Sequence, residues 1–213
     1  MILALGQWIL ETACLQLESW GRVQGMEHLT LAVNVRALQF AQSDFVEQVM
    51  AVVQRSGANP QPPTPNPQLL KLELELELTE SLLVGNVTDI IEKMGALKAS
   101  GIGFSLDDFG TGYSSLAYLS RLPLDQLKID KSFVNDVATN PDDAAIARTI
   151  IALAHSLRLG VIAEGVETDA QRKFLASAGC HAYQGYFFGR PLPLEGFEAV
   201  VRNTSLPTAA PAI

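Results

Sequence analysis

Six short β-rich runs, with helical patterns between most of them, limit the fold of this 213-residue chain more than any other feature. The runs are His28 to Val35, Leu70 to Leu78, Gly103 to Asp107, Gln126 to Asp130, Gly160 to Glu164 and His181 to Gln184. Apolar residues return at helical spacing over Phe40 to Arg55, Asp89 to Ala99, Ser114 to Ser120, Asp142 to Leu157 and Asp169 to Ala178, the last ending at Gly179 as its C-cap. Strands alternating with helices imply an α/β protein with a parallel sheet, whose closed form is an eight-stranded barrel of about 250 residues. Six strands leave two arrangements: an open, doubly wound sheet, or a barrel with two strands missing at the front.

Met1 to Trp20 sets Ile2, Leu5, Trp8, Ile9, Ala13 and Leu17 on one helical stripe, so the sequence opens inside a helix that Trp8 and Trp20 are expected to pack. Between Gly57 and Gln68, Pro60, Pro62, Pro63, Pro65 and Pro67 supply five of the eleven prolines and mark a surface loop. The Ala-, Pro- and Thr-rich stretch from Asn203 to Ile213 reads as a flexible tail, which leaves a single domain over residues 1–202.

A formal net charge of -8 argues against a nucleic-acid polymer or an anionic membrane as partner, because an acidic surface repels both. An anionic substrate beside such carboxylates needs neutralisation, and bound divalent cations supply it. Cys14 and Cys180 stand far apart without C-x-x-C spacing, so neither a zinc site nor a disulfide framework is indicated, and both read as small buried hydrophobes. A reducing cytoplasm fits. No apolar run reaches the roughly 18 residues that span a bilayer, and no basic segment with a small-residue cleavage site opens the chain. His28, His155 and His181 lack metal-ligand spacing and read as structural.

In a parallel α/β barrel the ligand site lies at the C-terminal ends of the strands. Asn34 ends the first run, Glu77 stands near the end of the second, Asp107 with Asp108 closes the third, Lys128 lies in the fourth, Glu164 ends the fifth and Gln184 the sixth. Mg²⁺ and Mn²⁺ prefer oxygen ligands, and two such ions roughly 3.5–4 Å apart can clamp the attacking and leaving oxygens of a phosphodiester. Taken singly, each residue has a simpler role. Asp-Asp before a glycine is turn chemistry; Glu73, Glu75 and Glu77 match the solvated face of an antiparallel strand; Lys128 can snorkel beside an apolar wall; Glu164 and Glu167 can flank a capped helix start. The combination favours a site. Neighbouring residues on a strand point to opposite faces, so Asp107 and Asp108 can share that site only if Asp108 already lies in the loop.

Residues 104 to 116, F-S-L-D-D-F-G-T-G-Y-S-S-L, resemble the D-D-F-G-T-G-x-S-S loop of EAL domains. Companion motifs stand in order around it: V-N-V including Asn34, E-L-T-E from Glu77 to Glu80, L-K-I-D-K-S-F-V from Leu127, A-E-G-V-E from Ala163 and Y-Q-G-Y-F-F-G-R-P-L-P from Tyr183. The resemblance implies a modified TIM-type barrel that hydrolyses cyclic di-GMP to linear pGpG with two Mg²⁺ or Mn²⁺ ions. It implies Asn34, Glu77, Asp107, Asp108 and Glu164 as metal ligands, Lys128 as the group that positions or activates the attacking water, and Gln184 as holding Glu164 or that water. Glu80 resembles the glutamate that anchors the loop, Gly110, Thr111, Gly112 and Glu167 take loop or substrate-side places, and the loop over 107–116 borders a homodimer interface. The strand carrying the family's Glu-Ala-Leu is expected before Met1, so about six of eight strands are present. The alternative reading is an inactive EAL-like receptor or a regulatory fragment.

Overall fold

The computed structural model describes residues 2–56, 73–84, 86–111 and 116–204; the proline-rich stretch at 57–68, Gly112 and the tail beyond 204 lie outside them. In chain order the elements are α1 (Ile2–Gly21), β1 (Thr30–Val35), α2 (Ala37–Phe40), α3 (Phe45–Arg55), β2 (Glu73–Thr79), a 3-10 turn (Glu80–Val84), α4 (Val87–Lys98), β3 (Gly103–Phe109), α5 (Leu116–Leu119), β4 (Gln126–Ile129), α6 (Lys131–Asn135), α7 (Pro141–Ser156), β5 (Gly160–Ala163), α8 (Asp169–Ser177), β6 (Ala182–Tyr183) and α9 (Leu194–Asn203).

All six strands pair in parallel, in the order β1-β2-β3-β4-β5-β6. A doubly wound sheet reverses its strand order at a switch point. Here the order never reverses, so the crossovers add in one direction and the sheet curls as part of a β/α barrel. Among the described residues its edges are β1 and β6.

The strict alternation on β2 is that of a strand buried on both faces. Leu74, Leu76 and Leu78 lie under the helices, and Glu75 and Glu77 are buried on the inner side. The simpler picture of a solvated antiparallel face is thereby corrected, because a parallel strand inside a barrel has no solvent face. The outer core continues through Phe104, Leu106, Leu127, Ile129, Val161 and Ala163 on the following strands. Helix starts are locally encoded. Asn140 accepts from Asp142 N ahead of α7, with Pro141 opening the helix, and Thr168 forms a capping box with Gln171 at α8.

Two helices differ from the sequence reading. In α1 the buried residues are Leu10, Ala13, Cys14, Leu17 and Trp20, whereas Ile2, Leu5, Ile9 and Trp8, at 61% exposure, stay open. Helix α1 packs on β1, β2 and α3, and its buried residues all lie from Leu10 onward, so the expected stripe is left open toward the N-terminus. Helix α9 has no buried residue; it is held through Phe197, 5.4 Å from the Trp20 ring, and Glu198, which accepts from Trp20 Nε1. No helix among the described residues is long and apolar enough to cross a membrane.

Candidate active site

Lys128 is the hub of the inner face, with its side chain 4% exposed. Its Nζ lies 2.7 Å from Glu77 Oε1, 2.6 Å from Glu164 Oε1 and 3.2 Å from Asp107 Oδ1. Three strands and the turn after β5 thus deliver their ends to one point. Burial disfavours the charged amine, but its hydrogen bonds to Glu164 and Glu77 outweigh that and raise its pKa above the ordinary lysine value. Lys128 is therefore held as a cation.

A bulge brings the two adjacent aspartates to the same side. Leu106 pairs with Leu127 and Phe109 with Ile129, so β3 carries one more residue than β4 over this interval. Asp108 takes the left-handed conformation at φ 53. The alternation is broken, and Leu106 and Phe109 both remain buried in the core. Contrary to the expectation that Asp108 sits in the loop, it belongs to the strand, and the bulge turns its side chain. Asp107, Asp108 and Glu164 each offer an oxygen, all within 4.8 Å of one another.

Negative charge is in excess here. Burial raises the pKa of Glu164, with Asp107 and Glu77 adding to the shift and Lys128 opposing it. Asp108 is raised by burial and by Asp107 and Asp130, with which its carboxyl shares a hydrogen bond. Asp107 Oδ1 is buried and, although within ion-pair distance of Lys128, makes no hydrogen bond among the described residues. A buried carboxylate oxygen without a donor is costly unless something else binds it. An all-oxygen donor set with an unspent oxygen and surplus negative charge fits a hard divalent cation such as Mg²⁺ or Mn²⁺.

The remaining candidates fall at different distances from this hub. Asn34 pairs in register with Glu77 and borders a cavity of about 330 Å³ beneath Ile2, Leu3 and Ile9. Gln184 is exposed; its backbone N–H donates to Ala163 O and its carbonyl accepts from Val166 N. Glu80 is buried with Oε2 unpartnered among the described residues. Gly110 adopts φ 101, and a Cβ there would meet Phe133 Cε2 at 2.9 Å, so the turn out of β3 requires glycine. Thr111 steadies this turn by donating from Oγ1 to Asp108 O. Glu167 is exposed, one residue before the Thr168 cap. Asp130 was missed by the sequence reading. It caps α6 through Ser132 N and faces Asp108, and no periodic signal marked it, because it lies past the end of β4 in the cap of α6.

A parallel barrel segment with a carboxylate cluster around one lysine at its strand ends defines a class of α/β proteins, and similarity to known sequences and structures narrows it to a family. This chain belongs to the EAL domain family, whose profile matches residues 1–191. It is 42% identical over 201 residues to the bifunctional diguanylate cyclase/cyclic di-GMP phosphodiesterase MucR of Pseudomonas aeruginosa; this covers 94% of the chain and 28% of that relative's length. It is similar to the solved PaMucR phosphodiesterase in complex with c-di-GMP, with a TM-score of 0.82 and 42% identity, covering 92% of this chain and 74% of that one. It also resembles the manganese and cyclic di-GMP complex of Klebsiella pneumoniae BlrP1, with a TM-score of 0.70 and 27% identity, covering 87% and 45% of the two chains.

Proposed function

We propose that this chain hydrolyses one phosphodiester of cyclic di-GMP to linear pGpG, with Mg²⁺ or Mn²⁺ held by Glu77, Asp107, Asp108 and Glu164 and with Asn34 at the rim. The observation that carries this reading is the convergence of Asp107, Asp108 and Glu164 beside the Glu77–Lys128 pair, with one buried oxygen left over. The cyclic di-GMP bound in the complex with 42% identity to this chain supports the substrate. The manganese in the BlrP1 complex supports the ion class.

Bound divalent cations supply charge neutralisation at the phosphate and activation of a water nucleophile. Within the chain, Lys128, held between Glu77 and Glu164, is placed to position or activate the attacking water and to offset phosphate charge. Glu77 and Glu164 hold Lys128 Nζ from two sides and set its position. Gln184 marks the rim of the site just after β6, next to Glu164 in the fold through the Val166–Gln184 backbone bond. Pairing of two copies through the loop over 107–116 belongs to the same reading and is tested by sedimentation.

The deciding experiment incubates purified protein and Mn²⁺ with cyclic di-GMP and follows pGpG by chromatography. Turnover that disappears in Asp107→Asn supports the reading. Nucleotide binding without turnover replaces it with a receptor, and neither binding nor turnover ends it.

A further inference from the structure

Glu75 and Gln126 stand outside the carboxylate cluster, yet they repeat its geometry one step deeper in the barrel. Residues two apart on a strand face the same way, so Glu75 lies below Glu77 on β2 and Gln126 below Lys128 on β4. These strands are not neighbours, since β3 runs between them. The Lys128–Glu77 ion pair and the hydrogen bond from Gln126 Nε2 to Glu75 Oε1 therefore both cross above β3.

Small residues on β3 make that crossing possible. Ser105 pairs in register with Glu77 on one side and Gln126 on the other. Its hydroxyl is fully buried and has no hydrogen-bond partner among the described residues, so what the position contributes is its small size. Gly103 pairs with Glu75, and a Cβ built there would lie 3.7 Å from Glu75 Cγ, which places the Glu75 side chain across this glycine. On the far side, a Cβ on Gly160 would lie 3.2 Å from Gln126 Cβ, so β5 closes tightly against Gln126.

We propose that the Glu75–Gln126 hydrogen bond is a positioning rung: it sets the separation of β2 and β4 and thereby where Glu77 meets Lys128, without touching the reacting atoms. This inference rests on the hydrolytic reading above for its kinetic test. Neither residue belongs to the cluster that holds the cation, and Glu75, 9% exposed, borders instead the cavity at the N-terminal ends of the strands with Gly103 and Asp125. The rung acts through strand spacing alone.

The test compares Gln126→Leu, the swap Glu75→Gln/Gln126→Glu, Ser105→Ala and Ser105→Val. Each variant is measured for kcat and KM with cyclic di-GMP, and for Mn²⁺ Kd by calorimetry without nucleotide. Gln126→Leu lowers kcat about tenfold and weakens Mn²⁺ about tenfold, as for losses around rather than at a metal, with KM within about twofold. The swap, which rebuilds the bond with its polarity reversed, restores both. Ser105→Ala leaves them at wild-type values, and Ser105→Val, which wedges a branched side chain under both rungs, lowers both. Wild-type kcat and Mn²⁺ affinity in Gln126→Leu and Ser105→Val overturn the proposal, as does a swap no better than Gln126→Leu. If the wild-type chain neither turns over nor binds Mn²⁺, the hydrolytic reading fails, and the rung is judged by urea unfolding of the Glu77→Gln/Gln126→Leu cycle. Non-additive midpoint shifts then support it and additive ones overturn it.

Discussion

The two ends of the same strands treat their carboxylates in opposite ways. Toward the N-terminal end, Asp125 pairs with Lys98 and accepts from Phe104 N at 2.9 Å, and Glu75 takes the amide of Gln126. Each of these carboxylates meets a donor from its own chain. At the C-terminal end, Glu77, Asp107 and Glu164 gather around Lys128, with Asp108 beside Asp107 and Asp130, and Asp107 Oδ1 has no hydrogen bond among the described residues. Carboxylates that serve the fold are matched on the spot. Those left in excess lie where the proposed cation would bind, and without it the fold carries the resulting repulsion.

Four substitutions sharpen or break this contrast. Lys128→Met has the largest effect: removing the buried partner of three carboxylates lowers metal-free stability by about 3–5 kcal/mol, read by urea unfolding, and Mn²⁺ recovers part of the loss. An unchanged midpoint would show that the cluster is already relieved by solvent. Asp107→Asn lowers Mn²⁺-dependent turnover by on the order of a hundredfold or more, while its metal-free midpoint does not fall, since a surplus charge has been removed. At the opposite end, Asp125→Ala lowers stability by about 1–3 kcal/mol by stranding Phe104 N and leaves Mn²⁺ affinity unchanged. A coupled loss of affinity there would break the division between the ends.

Asp108→Asn gives the smallest effect and tests the sign. Burial and the neighbouring Asp107 and Asp130 raise the Asp108 pKa above its usual 3.8, so its charged form weakens the native state as pH rises through the raised value. The variant therefore melts higher than wild type at pH 7 without metal, by no more than about 2 °C for so exposed a group. That gain shrinks as pH falls toward 3.8. Asparagine also tolerates the φ of 53 at this position.

Much of the fold is legible along the chain. Leu74 to Leu78 alternate with Glu73 to Glu77, Thr168 and Gln171 write a capping box, and Gly110 marks a turn that only glycine fits. Residue types at the strand ends already point to oxygen ligands. The bulge that places Asp108 beside Asp107 escapes the sequence, because a one-residue mismatch between β3 and β4 leaves no periodic trace. So does Asp130, whose caps-and-turn chemistry masks its contact with Asp108. The exposed stripe of α1 escapes for a related reason: helical spacing shows which residues share a face, but not whether another element covers it.

Spacing along the chain was enough to specify the strand–helix alternation, the buried leucine face of β2 and the chemical nature of the acidic positions, because these depend on hydrogen bonds and side-chain periods within a few residues. The meeting of Lys128 with Glu77, 51 residues apart, and of Gln126 with Glu75, also 51 apart, was settled only when the sheet curled. Distances across β3 depend on strand order, register and the small side chains at 103 and 105 together, and no local stretch of sequence holds all three.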